Sequence, residues 1–175
     1  MTDIKQKTFN EFDKTTLRLL KTLITLSEEQ INIYPKKGWS AGQLGEHLLK
    51  SYASVETLKG KTRKTNRPID QKLEPIKTLF LDNSIKMDSP QEILPFTEKI
   101  IKKDLIKDLE DRIGQIKEVI KIKDLSATCI DFSIPEYGEF TRFEWIWFNI
   151  YHTQRHVYQL ENIIGLNTIK EVQSK

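Results

Sequence analysis

Three histidines are the residues of this chain best placed to do chemistry, and two of them, His152 and His156, stand four apart. On a helix four residues turn about 400°, so the two rings project within about 40° of each other and can meet one ion. His47 lies far upstream, between Leu44 and Leu48 and close to the inward stripe of another amphipathic stretch. A third imidazole from a facing helix would complete a three-nitrogen site. Neutral imidazole suits divalent transition metals, with zinc and nickel expected foremost and copper and iron also compatible. Three protein ligands leave a position for water or substrate, the pattern of catalytic rather than structural zinc. Carboxylate-rich di-metal bundles use a Glu-x-x-His pair instead. Here Asn149 stands three residues before His152, which disfavours a di-iron site. A helical H-x-x-x-H is also what two hydrogen-bonded core histidines look like, and spacing alone does not separate the readings. All three histidines fall on inward stripes and none in a loop, which favours ligation.

The elements that must position these rings are legible from periodicity. Phe9, Phe12, Thr16, Leu19, Leu20, Leu23 and Ile24 recur at three and four and predict a first helix over 8–26. Ser40 with Gln43 forms a capping-box pattern that opens a second helix carrying Leu44, His47, Leu48, Tyr52 and Val55, with Gly60 as its end. Ile101, Leu105, Leu109, Ile113, Ile116 and Ile120 predict a third helix beginning at Thr97. Its other face, with Lys107–Asp111 and Asp108–Arg112 pairs, reads as solvated. Thr141 with Glu144 is a second capping box, opening a fourth helix that should stop at Gly165. The expected fold is all-α: one domain over 1–175, with a core over about 8–165. It is a four-helix bundle with one long crossover connection between helices 2 and 3, residues 59–96. Connections that long tend to be functional covers or disordered. Within this one, short helical turns are expected at 76–81 and 90–94.

Other residues have types suited to supporting roles. Gln43, Ser51, Asn149 and Gln159 flank the histidines and could orient their outer ring nitrogens, or serve as ordinary polar filler. Glu46 and Glu144 are general bases by type only: Glu46 points about 100° away from His47, and Glu144 is better explained as a cap. Trp39, Trp145 and Trp147 could wall a pocket or pack the core. The run Lys59, Lys61, Arg63, Lys64 and Arg67 lacks interleaved aromatics, so it reads as a solvated loop rather than a nucleic-acid surface. Attraction of an acidic thiol is a secondary reading for it.

Composition narrows the classes further. Lys and Arg number 28 against 25 Asp and Glu, a formal net charge of +3, too mild to imply nucleic acid. One cysteine, Cys129, cannot staple a secreted scaffold. No apolar run reaches the roughly 18 residues of a membrane span, and no secretory leader is visible at the N-terminus. The expectation is a cytoplasmic protein acting on a small molecule, with no nucleic-acid or membrane partner.

Three blocks resemble the DinB/YfiT-like superfamily of metalloenzymes. The first runs Gly38-Trp39-Ser40 to His47-Leu48, the second Tyr137-Gly138-Glu139 to Trp145, and the third is the H-x-x-R-H-x-x-Q stretch from His152 through Arg155 and His156 to Gln159. They occur in the family's order and spacing, and the resemblance covers about 9–164. It implies a four-helix bundle holding one divalent metal through His47, His152 and His156. It also implies, for some relatives, transfer or isomerisation reactions that use low-molecular-weight thiols such as bacillithiol, mycothiol or glutathione, and often a homodimer. Where some members carry His-Pro-x-x-Gly before the last helix, this chain has Ile134-Pro135-Glu136-Tyr137-Gly138. A metal-dependent thiol S-transferase or hydrolase is therefore the leading expectation. A non-catalytic, stress-related metal-binding bundle or a dimeric interaction module is the alternative.

Overall fold

The computed structural model describes the backbone of residues 3–173 and the side chains of residues 3–165. The protein is mostly helical. Long helices α1 (Asp3–Ile24), α2 (Ala41–Ser51), α5 (Lys102–Ile122) and α6 (Arg142–Gln173) are supplemented by short α3 (Ser54–Lys59) and α4 (Leu73–Leu81). Helix α1 packs on α5 and α6, and α2 packs on the same two. Each long helix buries the stripe its sequence marks out: Phe12, Leu19 and Leu23 on α1, and Leu109, Ile116 and Ile120 on α5, are at most 2% exposed. Burying one such side chain contributes roughly 1.5–3 kcal/mol before chain entropy is counted. The stripes are narrower than their periodicity suggests, because Ile24 and Ile101 remain about half exposed.

Helix α2 approaches its neighbours closely through a small face. A Cβ on Gly45 would lie 2.9 Å from Leu105 Cδ2 and 3.2 Å from Leu23 Cδ1, and no larger residue fits without displacing both. The expected second helix is interrupted. After Ser51 the chain turns at Tyr52 and restarts as α3, which packs on α5 and ends at Gly60. Tyr52 explains the break: its ring is wholly buried and its hydroxyl donates to Thr153 Oγ1 at 2.7 Å, while Thr153 donates to the Asn149 carbonyl.

Helix α5 begins at Lys102 rather than Thr97. The preceding backbone is held elsewhere: Ile100 N–H donates to Asn32 Oδ1 and Lys102 N–H to Glu28 Oε2, both at 2.8 Å. Helix α6 runs through Gly165, contrary to the expected stop, since that glycine does not take the left-handed conformation of a helix end.

The crossover is not a bare loop. Helix α4 packs along α6 through Ile76 and Phe80, and a 3-10 turn follows at Gln91–Ile93. Strands β1 (Thr62–Arg63) and β2 (Thr128–Cys129) pair antiparallel, with Thr62 opposite Cys129. Because α1, α2 and α4 all cover α6, residues 142–157 of that helix are buried nearly all round, which accounts for their run of aromatics. Among the described residues, no helix is long and apolar enough to cross a membrane.

Candidate metal centre

The three histidines come from two elements with well-fixed starts. Helix α2 is capped by Ser40, whose hydroxyl accepts from Gln43 N–H at 3.2 Å while Ser40 N–H donates to Gln43 Oε1 at 3.1 Å. His47 follows one turn after Gln43. His152 and His156 sit mid-way along α6. All three are buried, at 0%, 5% and 7% exposure. Their inner nitrogens converge: His47 Nε2 and His156 Nε2 lie 3.0 and 2.9 Å from His152 Nε2. One ring nitrogen from each lies within 4.8 Å of the others.

The outer nitrogens decide which protons are present. His47 Nδ1 stands 2.8 Å from the Ile93 carbonyl, which can only accept, so Nδ1 carries the proton and Nε2 offers a bare lone pair. His156 Nδ1 faces Gln159 Oε1 at 2.8 Å, an amide orientation that assigns the same tautomer. His152 Nδ1 meets the Ser51 hydroxyl at 3.1 Å. Burial lowers the pKa of all three rings. His156 is brought to about 3 by burial first and the His47 charge second. His152 is held well below 6.5 by burial, then by His156. His47 is lowered chiefly by burial.

The bare lone pairs of His47 Nε2 and His156 Nε2 are therefore both directed at His152 Nε2, 3.0 and 2.9 Å away. A tetrahedral ion with bonds of about 2.0–2.1 Å would place its nitrogen ligands about 3.3 Å apart. The donor set fits one divalent transition ion, with two of the spacings a few tenths of an ångström below that value and all three nitrogens within 4.8 Å.

An aromatic collar surrounds the cluster. The Trp39 ring centroid lies 4.8 Å from that of His47, and Phe80 lies 5.0 Å and Phe148 5.9 Å from His152. A cavity of about 840 Å³ opens onto the three rings. Its wall from the crossover is held from two sides. Arg155, 8% exposed, donates through Nη1 to the Phe80 and Asp82 carbonyls and through Nη2 to the Ile85 carbonyl. From α2, Gln43 donates to the Phe96 carbonyl, Glu46 accepts from Phe96 N–H and Lys50 donates to the Leu94 carbonyl. With His47 on Ile93, four side chains of one helix face fix the backbone of residues 93–96.

Several sequence readings are thereby sorted. Ser51 and Gln159 orient ring nitrogens, whereas Gln43 caps α2 and Asn149 bonds Ser54 instead. Glu46 pairs with Lys50 at 3.4 Å and turns from the cluster, and Glu144 is wholly committed to Arg67 and backbone N–H groups. Trp39 lines the cavity, while Trp145 packs against Phe140 and Trp147 against Tyr151. The basic run is not simply solvated: Arg63 pairs with Glu139 and Arg67 with buried Glu144, away from the cavity lining. Cys129 is buried, its thiol pushed up to about 11 by burial. The Ile93 carbonyl is the one orienting partner that sequence did not offer.

A mostly helical protein with a buried trio of imidazoles at the floor of a cavity can hold a metal. A family model described as the DinB superfamily matches residues 11–160, and the chain belongs to that superfamily. No curated protein and no solved structure matches it.

Proposed function

We propose that this chain is a four-helix bundle of α1, α2, α5 and α6 that holds one divalent transition metal through His47, His152 and His156. In this reading it acts as a metal-dependent S-transferase or hydrolase on a small molecule. A bound ion of this kind would supply Lewis acidity, lowering the pKa of a thiol or water brought to it. The chain supplies the rest. Ile93, Ser51 and Gln159 hold the rings, the aromatic collar excludes water, and the cavity admits the substrate. Asp88, at the exposed rim, is the one carboxylate among the cavity-lining residues, so no side-chain carboxylate base stands beside the cluster.

The observation that carries this reading is the convergence of three inner ring nitrogens, with His47 Nε2 and His156 Nε2 at 3.0 and 2.9 Å from His152 Nε2 and each ring's outer nitrogen partnered. Elemental analysis of tag-free protein tests it. One ion per chain is expected, lost in His152→Ala. Full retention by that variant would refute the ligand set. Conjugation of thiols to electrophiles and ester hydrolysis, assayed side by side, then distinguish transfer from hydrolysis.

A further inference from the structure

The cavity above the histidines has walls that select by polarity. Its floor is the imidazole trio with Trp39, Phe80 and Phe148 around it. Above them, Leu79, Met87, Ile93, Leu94, Ile134 and Ile163 form the sides. The charges that reach it are few. Lys37 and Asp88, one of each sign, are exposed at the rim. Arg155 borders the cavity and directs three of its N–H groups away to the carbonyls of Phe80, Asp82 and Ile85. Gln159 is spent on His156. Among the described lining residues Arg155 is the one buried cation, and its bonds to the crossover carbonyls turn it from the apolar walls, so an anionic group lying along those walls would give up its water unanswered. The volume of about 840 Å³ suits a ligand of drug-like size.

We propose that the substrate of this site is an uncharged, mainly apolar small molecule, with an aliphatic or aromatic body along the Leu79–Met87–Ile163 walls and a single polar group directed at the histidines. Multiply charged thiols are therefore excluded as its body. The direction of the polar group rests on the metal-centre reading; the choice of body rests on the walls alone.

The test uses two probe sets so that these can fail separately. Protein loaded with one equivalent of zinc is titrated calorimetrically with butano-, hexano- and octanohydroxamic acid, uncharged metal-binding probes, and with suberic acid monohydroxamate. The last matches the octano compound in carbon number but ends in a carboxylate. Affinity should rise roughly fourfold per methylene, and the carboxylate should cost about tenfold or more. Met87→Lys, at an exposed loop position in the wall, should recover roughly two- to fivefold for the carboxylate probe and weaken the neutral one, which loses apolar contact.

A flat chain-length series, or equal binding of the carboxylate probe, overturns the proposal while leaving the metal centre intact. Octan-1-ol and octanoate titrated into metal-free protein probe the walls without any ion. Tighter binding of the alcohol supports the proposal even where zinc is not retained. Equal or tighter binding of octanoate, or no binding of either, overturns it.

Discussion

Helix α6 carries two buried polar clusters about two turns apart, and they are built on opposite principles. Near its start, Glu144 is fully buried, yet both carboxylate oxygens are answered. Oε1 accepts from Arg67 Nη1 at 2.6 Å and Lys72 N–H at 2.9 Å; Oε2 accepts from Arg67 Nη2 at 2.6 Å and Thr141 N–H at 2.9 Å. Farther along, the three histidines satisfy their outer nitrogens and turn the inner ones toward one another, with the lone pairs of His47 and His156 directed at His152 Nε2. The first cluster is closed: it staples the crossover to the last helix and needs nothing more. The second leaves lone pairs that a cation at its centre would answer. Burial and polarity are common to both, so neither property marks a functional site. Unmet bonding capacity does.

Removing one partner from the closed cluster should have the largest effect. Glu144→Ala strands the Arg67 guanidinium, one-fifth exposed, and removes one half of the α6 capping box, leaving Thr141 Oγ1 on the N–H of residue 144. A loss of about 3–5 kcal/mol in urea unfolding is expected. The folded fraction should still carry one metal per chain; metal loss in parallel with stability would mean that the clusters are not independent. The open cluster should behave in the reverse sense. Zinc held free at about a hundred times its dissociation constant should add about 2.7 kcal/mol to the wild-type protein. It should add nothing to His152→Ala. A zinc-dependent rise in the melting temperature of that variant would contradict the contrast.

The outer partners test the same comparison at a finer level. Ser51→Ala and Gln159→Leu each free one ring to rotate or change tautomer, which typically weakens a metal site about 10- to 100-fold. Competition with a chromophoric chelator measures this directly. Asn149→Ala, which removes a bond to Ser54 rather than to a ring, should leave the affinity within about twofold.

The open cluster was largely legible in the sequence and the closed one only in part, for a physical reason. A spacing of four on a helix is a local geometric constraint, so His152 and His156 announce themselves, and His47 is placed by its own helix's stripe. The Thr141–Glu144 cap is equally local. The partner of Glu144 is not: Arg67 lies 77 residues away in the crossover, and no periodicity relates the two. The Ile93 carbonyl was invisible for a further reason, since a backbone acceptor has no side-chain signature at all. The break between α2 and α3 hid for a related cause. Tyr52 and Val55 continue an apolar stripe, and only the long-range bond of Tyr52 to Thr153 shows why the helix turns there. Arg155 stood in view within H-x-x-R-H, but its targets are the carbonyls at the end of α4, which only the fold brings near.

Acid should produce the smallest effect per step, and its sign follows from the open cluster. In the metal-free protein, burial lowers all three rings, His156 to about 3 and His152 well below 6.5. Unfolded, each titrates near 6.5. Above that value both states are neutral and the histidines contribute no pH dependence. Below it the unfolded chain takes up protons that the folded chain refuses, so stability falls as pH drops from about 6.5 toward about 3. The slope is at most about 1.4 kcal/mol per pH unit for each ring in its window. His152→Ala deletes one such group and should flatten the slope between pH 6 and 4.5, as read from urea midpoints at closely spaced pH. Zinc should steepen the slope in the wild type alone, because the ion competes with the same protons. Identical slopes for parent and variant, with and without zinc, would mean that the inner nitrogens already share protons in the folded chain, and the second cluster would then be as closed as the first.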